Sequence, residues 1–252
     1  MLVASLIIAS CLLVGFISIL VYLSLSSSDL SSMHDKHKQL LQKLDRIANE
    51  KDLSYWLDAG TLLGAVREKD IIRWDDDADV TMTEQDSQKL LDTDLSQYGV
   101  EVSRCCNIPS ATRLSASLTP KCECDNKDED LQLLKLHFPG EKDSVWVDIF
   151  PRRLENGKYR LIGWPKKLWP KEWHSKDSFD GYRMYKLGDI RVRGPKNPIP
   201  FLERTYGDWK TPKKTHSHTF SGFAENNALF WIQISIIILL LVTIIVYSII
   251  SN

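Results

Sequence analysis

The stretch Asp58-Ala59-Gly60-Thr61-Leu62-Leu63-Gly64-Ala65-Val66-Arg67, followed by Trp74-Asp75-Asp76-Asp77-Ala78-Asp79, decides how this chain is read. It joins a Gly-Thr turn to a run with four acids in five residues, Asp75 to Asp79. A core strand gains nothing from that charge density, whereas a divalent cation needs it. Ala78 to Met82 reads as a strand, and alternate strand residues project to one face about 6.5–7 Å apart. Asp77 and Asp79 are therefore expected to share a face, with Asp75 joining them at the strand's entry and Asp76 turned away. Two such carboxylates can bracket Mg²⁺ (or Mn²⁺), which prefers oxygen ligands and keeps waters that a phosphate can displace. Without a cation the acids would repel, and one would tend to stay protonated. The plainer alternative, a solvated acidic turn, fits poorly with Trp74 and Val80 on either side.

Outward from this run, Ser54 to Leu57 reads as a short strand and Thr61 to Glu68 as a helix opened by Gly60-Thr61. Amides at that helix start can hold a phosphate, and glycine permits close approach. Gly64 lies one turn later, where a missing side chain allows tight packing, and Arg67 can reach a phosphate or an acid. Residues 144–150 read as a strand ending at Pro151, with Asp148 alone among apolar neighbours. A lone charge there is costly unless a metal or cation lies beside it, so Asp148 is a third candidate carboxylate or a general base; the alternative is a buried partner for an arginine. Apolar positions Leu40, Leu41, Leu44, Ile47 and Ala48 predict an amphipathic helix over 33–51. Thr83 is placed to cap a helix over 84–92, strands are expected near 100–103, 112–118, 131–138, 158–162, 182–187 and 189–193, and a short helix over 198–206 should stop at Gly207. Strands and helices mix without strict alternation, giving an α/β (α+β) class with a mixed sheet flanked by helices.

The chain has 252 residues, and two apolar runs flank the rest. Residues 2–25 and 230–250 carry no charge, and each is long enough to cross about 30 Å of hydrocarbon. The first lacks the basic start of a cleaved signal peptide. The expected organisation is an anchor over 1–25, a catalytic domain over 26–212, a linker over 213–228 and a second span over 229–250. Net charge is −1, which hides an asymmetry. Residues 29–150 hold 15 Lys/Arg against 25 Asp/Glu, and residues 151–214 hold 17 against 7. An acidic half beside a basic half suits a polyphosphate substrate, though it also describes two merely soluble surfaces. The basic segment lacks the regular aromatics of a single-strand nucleic-acid groove, so no nucleic-acid partner is expected. Cys105, Cys106, Cys122 and Cys124 lie in one segment and fit two disulfides, a zinc site of unusual spacing, or free thiols.

The segments Leu57 to Arg67 and Ile72 to Val80 resemble the signature of the LicD family, which includes fukutin and the fukutin-related protein. Val147-Asp148-Ile149-Phe150-Pro151, Trp164 to Trp169, and Phe201-Leu202 with Tyr206-Gly207-Asp208-Trp209 extend the likeness over roughly residues 40–212. The resemblance implies a nucleotidyltransferase-type fold. It implies transfer of a phospho-alcohol, such as ribitol phosphate or phosphocholine, from a CDP-linked donor to a glycan; animal members act in the Golgi lumen and bacterial ones face the cytosol, and the N-terminal anchor favours a membrane-anchored domain in the Golgi or ER lumen, with topology left open. It assigns metal binding to Asp77 and Asp79, phosphate or substrate contact to Gly60 and Thr61, and a third carboxylate to Asp148. A catalytically inactive relative acting as a tethered binding protein is the competing expectation. The chain departs from the family pattern at Glu68-Lys69-Asp70 and at Arg73, in the loop next to the acids.

Overall fold

The structure, a computed structural model, describes residue 15 and residues 30–105, 131–141 and 145–213. The chain divides into two units, Met1–Ser32 with Ser217–Asn252, and Met33–His216. Both expected membrane spans, the strand expected at 112–118, and Cys106, Cys122 and Cys124 lie outside the described residues. Among the described residues no helix is long and apolar enough to cross a membrane.

Within the second unit the chain opens with α1, residues 33–51. Its predicted stripe is the buried one: Leu40, Leu41, Leu44, Ile47 and Ala48 are at most 1 % exposed. They join one apolar cluster with Val80 and Met82, Leu134 and Leu136, and Val147 and Ile149. Those strand residues alternate along their strands, so one face of the sheet carries this core, and the other carries a smaller apolar cluster of Cys105, Leu133, Phe150 and Leu161 as well as the polar residues of β2, β4 and β5.

The sheet runs in the order β1 (Tyr55–Leu57), β2 (Asp79–Thr83), β5 (Trp146–Glu155), β4 (Leu133–His137), β3 (Glu101–Cys105). β2 and β5 are parallel, and the other pairs in this path are antiparallel. β6 (Lys158–Leu161) pairs with the far half of β5, and β7 (Trp173–Ser175) pairs with β6. A separate hairpin is formed by β8 (Arg183–Leu187) and β9 (Ile190–Gly194). The helices between are α2 (Ala59–Arg67), α3 (Glu84–Leu91), α4 (Trp164–Leu168) and α5 (Ile199–Tyr206). The mixed sheet flanked by helices is the expected class.

Local chemistry explains most boundaries. Thr83 Oγ1 accepts the Asp86 amide at 3.0 Å and so caps α3. Gly207, at φ 63°, ends α5 in the left-handed region that favours glycine. One boundary differs from expectation, because β5 does not stop at Pro151 but continues to Glu155. On its β4 side the ladder ends at Ile149, and on its β6 side it starts at Arg152. Pro151 sits in the gap between the two ladders, where a missing N–H costs nothing. The short helix α4 and strand β7 were not anticipated.

Candidate active site

Three separated segments meet at one end of β2. The Asp58 amide donates to the Asp79 carbonyl at 3.1 Å, and the Asp79 amide donates to Thr61 Oγ1 at 2.7 Å. The start of α2 thus grips Asp79 on both sides of its backbone. Across the parallel ladder Asp148 is the direct partner of Asp79, and its amide donates to the Ala78 carbonyl at 2.8 Å. On the next strand Lys135 stands opposite Asp148. One row across the sheet therefore carries Asp79, Asp148 and Lys135.

The acids before β2 close around this row. One carboxylate oxygen each from Asp75, Asp76 and Asp77 lies within 4.8 Å of the others. Strand alternation had turned Asp76 away. Regular strand begins only at Asp79, so residues 75–77 follow a turn, closed by the Asp75 amide on the Ile72 carbonyl at 2.8 Å, and the period of two does not apply. His34 from α1 donates from Nε2 to the Asp75 carbonyl at 2.6 Å and holds that turn. A Cβ built on Gly60 would meet Asp75 Oδ2 at 2.8 Å and Asp79 Oδ2 at 3.7 Å. The space left by glycine is filled by the acids' own oxygens.

Burial and mutual repulsion set the electrostatics of Asp75 and Asp79. Burial first, then Asp77, pushes the Asp75 carboxyl up to about 8. Burial, Asp77, Asp148 and Asp75 hold the Asp79 carboxyl well above the usual carboxylate range. An all-carboxylate oxygen set with this strain is what a hard divalent cation relieves, so the residues fit Mg²⁺ or Mn²⁺. The oxygens that meet are those of Asp75, Asp76 and Asp77, so the expected ligand Asp77 is in the trio that can hold one, while the expected ligand Asp79 stands beside it on the strand row with Asp148.

Beneath α2 lies a second, oppositely organised cluster. Asp58, 1 % exposed, caps α2 by accepting the Ala59 amide at 3.0 Å. It also accepts from Arg152 Nε at 3.1 Å, from Arg152 Nη2, and from His174 Nε2 at 2.9 Å. Arg152 further donates to Thr81 Oγ1 at 2.8 Å and to the Glu172 carbonyl at 2.7 Å. Burial alone would raise the Asp58 carboxyl, but Arg152 and His174 more than reverse this and leave it well below the usual range. Burial pushes His174 down to about 4 against the pull of Asp58, so the ring is neutral at pH 7. It stacks between Phe179 and Phe201, with ring centres 4.6 and 4.1 Å away. Tyr206 faces the same region; burial, Glu172 and Asp79 hold its hydroxyl protonated.

The structure thus brings together Gly60, Thr61, Asp77, Asp79 and Asp148, and adds Asp75 and Asp76. Thr61 is fully buried, and its hydroxyl positions Asp79. Arg67 pairs with Glu68 at 2.6 Å and donates to the Trp209 carbonyl at 3.2 Å. Gly64 makes room for the departing loop rather than the sheet, since a Cβ there would meet the Asp70 carbonyl at 2.5 Å. Asp58, Arg152, His174 and Tyr206 were missed as site residues. The one local signal was Asp58 directly before a helix start, a favoured capping position.

Comparison with known proteins bears on this arrangement directly. Residues 52–197 match the family model described as "LicD/FKTN/FKRP, nucleotidyltransferase domain". The chain belongs to the LicD family. The matched span contains the Gly-Thr turn, every acid of the cluster and the Asp58–Arg152–His174 group. Among similar proteins, an uncharacterised protein of Rickettsia prowazekii is 28% identical over 176 residues, 68% of this chain and 54% of that protein. The lipopolysaccharide cholinephosphotransferase LicD of Haemophilus influenzae is 30% identical over 111 residues, 44% of this chain and 39% of that protein. The chain spans about half the length of the Rickettsia relatives.

Proposed function

We propose that this LicD-family chain is a transferase that moves a phospho-alcohol from a CDP-linked donor to a glycan acceptor with the help of Mg²⁺ or Mn²⁺. The observation that carries the reading is the convergence of Asp75, Asp77, Asp79 and Asp148 beside Gly60 at the start of α2. The cation, when bound, would neutralise the donor diphosphate and stabilise charge on the bridging oxygen. Asp77 and Asp79 would hold that cation. Gly60 leaves room at the start of α2 for the Asp75 and Asp79 carboxylates beside the donor phosphates. Asp148 accepts the proton of the acceptor hydroxyl. That oxygen bonds to the phosphorus bearing the alcohol, the bond from this phosphorus to the bridging oxygen breaks, and CMP leaves.

The similarity to the lipopolysaccharide cholinephosphotransferase of Haemophilus influenzae supports a phospho-alcohol donor and a glycoconjugate acceptor here. The two apolar runs support a membrane-tethered domain, and the disulfide formed by Cys105 supports an oxidising lumen such as the Golgi or ER. The test is a donor screen over CDP-ribitol, CDP-choline and CDP-glycerol, with CMP release as readout, on wild type, Asp77→Asn and Asp79→Asn. Turnover that needs divalent cation and falls at least about 100-fold in both variants is expected. Metal-independent binding of CDP with no turnover on any donor would instead identify an inactive binding relative.

A further inference from the structure

The basic half of the chain does not act as one surface. Arg152 is buried on Asp58, Arg153 pairs with Glu84 at 2.5 Å, Lys166 with Glu155 at 2.8 Å, and Arg193 with Asp45 at 3.0 Å. These cations are committed to the fold. Three others of that half, Arg183, Lys186 and Lys196, behave differently, together with Lys69 from the acidic half. Lys69, Arg183, Lys186 and Lys196 line a single groove of about 340 Å³ between the end of α2, the β8–β9 hairpin and the start of α5. No aspartate or glutamate lines it, and among the described residues none of the four is in an ion pair. The neighbouring acids Asp70 and Asp189 are both turned to Lys38, at 3.3 and 3.9 Å. Met184 and Ile199, 39 % and 36 % exposed, stand among the cations on the same groove.

We infer that this groove is a docking face for an anionic phospholipid surface. Cations without counter-charges attract phosphate headgroups, each favouring association about fivefold. The exposed Met184 and Ile199 fit the apolar layer just below the headgroups, and long lysine stems bridge the two. A soluble polyanion would use the charges but would leave both apolar side chains in water, and this favours the membrane. The inference does not depend on the transferase reading, because no residue of the acid cluster contributes to the groove.

The test uses the full chain reconstituted in vesicles of phosphatidylcholine alone or mixed with phosphatidylglycerol. A membrane-permeant acylating reagent labels lysines, and mass spectrometry reads Lys69, Lys186 and Lys196 against the exposed Lys89 of α3. Labelling of the three is expected to fall at least about fivefold in the anionic vesicles, with Lys89 unchanged, and to recover in 0.5 M salt, at about which the screening length shrinks to a few ångströms. In the variant combining Lys186→Glu with Lys196→Glu, Lys69 should lose its protection. Equal labelling in both vesicle types overturns the inference. So does protection of the same lysines by pyrophosphate in phosphatidylcholine vesicles without protection by phosphatidylglycerol, which would make the groove a soluble-anion site.

Discussion

Replacing Arg152 by methionine removes the cation on which the frame of the site is built. The substitution keeps most of the stem volume and deletes the guanidinium. Arg152 and Asp58 side chains are 0% and 1% exposed, so the partner carboxylate cannot turn to water. Breaking a buried pair from one side typically costs about 3–5 kcal/mol, and here the Thr81 hydroxyl and Glu172 carbonyl also lose a donor. For a chain of this size each kcal/mol moves the melting temperature by about 2–4 °C, so Arg152→Met should melt roughly 6–20 °C lower. The assay is thermal unfolding of the full chain in detergent, followed by the stacked aromatic signal of Trp56 on Phe179, whose ring centres lie 4.2 Å apart. The second arm is Asp58→Asn with Arg152→Met. It removes both charges, keeps a capping oxygen for Ala59, and should recover at least about half of the loss, since an apolar or neutral replacement of a whole buried pair is often near neutral. A single variant within about 1 kcal/mol of wild type, or a double variant no better than the single, would refute the view that this pair is buried and mutually dependent.

Three further outcomes follow from the same geometry. His174 is neutral in the fold, down at about 4 from a usual 6.5, so the unfolded chain binds the extra proton first and stability contributed by this group is lost as pH falls from 6.5 towards 4; the advantage of wild type over His174→Gln should shrink by on the order of 3 kcal/mol between pH 7 and 4, and a constant difference across that range in thermal unfolding would contradict it. Gly64→Ala puts a methyl 2.5 Å from the Asp70 carbonyl, and because the obstacle is backbone the loop Glu68–Arg73 must move, at a cost of about 1–3 kcal/mol read as a lower melting temperature. Gly60→Ala meets only the flexible Asp75 carboxylate, at 2.8 Å, so Mn²⁺ affinity by calorimetry should drop at least about 10-fold while the melting temperature changes little; unchanged affinity would remove Asp75 from the site.

Where a local rule acts alone, the sequence is legible. The spacing Leu40, Leu41, Leu44, Ile47 marks the buried side of α1, and Thr83 before Glu84 marks a cap, because each signal lies within one turn of helix. The acids of 75–79 announce themselves by charge density, and Asp148 by its apolar neighbours. Legibility fails where a long-range partner decides. Asp76 joins the trio because the strand begins later than its hydrophobic pattern suggests. Pro151 does not end β5, because two different strands share that edge on either side of it. The Asp58–Arg152–His174 group joins residues 94 and 116 positions apart, and nothing local distinguishes Arg152 from the other cations of the basic half. Arg67 looked available for phosphate only because its partner, the Trp209 carbonyl, comes from the far end of the domain.

The two charge clusters are best understood as parts of one device. Asp148 and Arg152 lie on the same face of β5, four residues apart, so a cation with a long side chain was within reach of the acid row. It is instead held by Asp58, Thr81 and Glu172, and that binding draws the start of α2 down onto β2, where Thr61 and Asp58 fix the backbone of Asp79. A guanidinium placed among the acids would have relaxed Asp75 and Asp79 permanently and closed the site to any exchangeable cation. With Arg152 tied below, the carboxyls of Asp75 and Asp79 stay raised by burial and by one another. Strain of that kind is sustained by a rigid frame, and here the frame is the buried ion pair. If the frame and the acids are coupled in this way, Arg152→Met should weaken Mn²⁺ binding without touching a single ligand, whereas Arg153→Met, which breaks only the exposed pair with Glu84, should leave it unchanged.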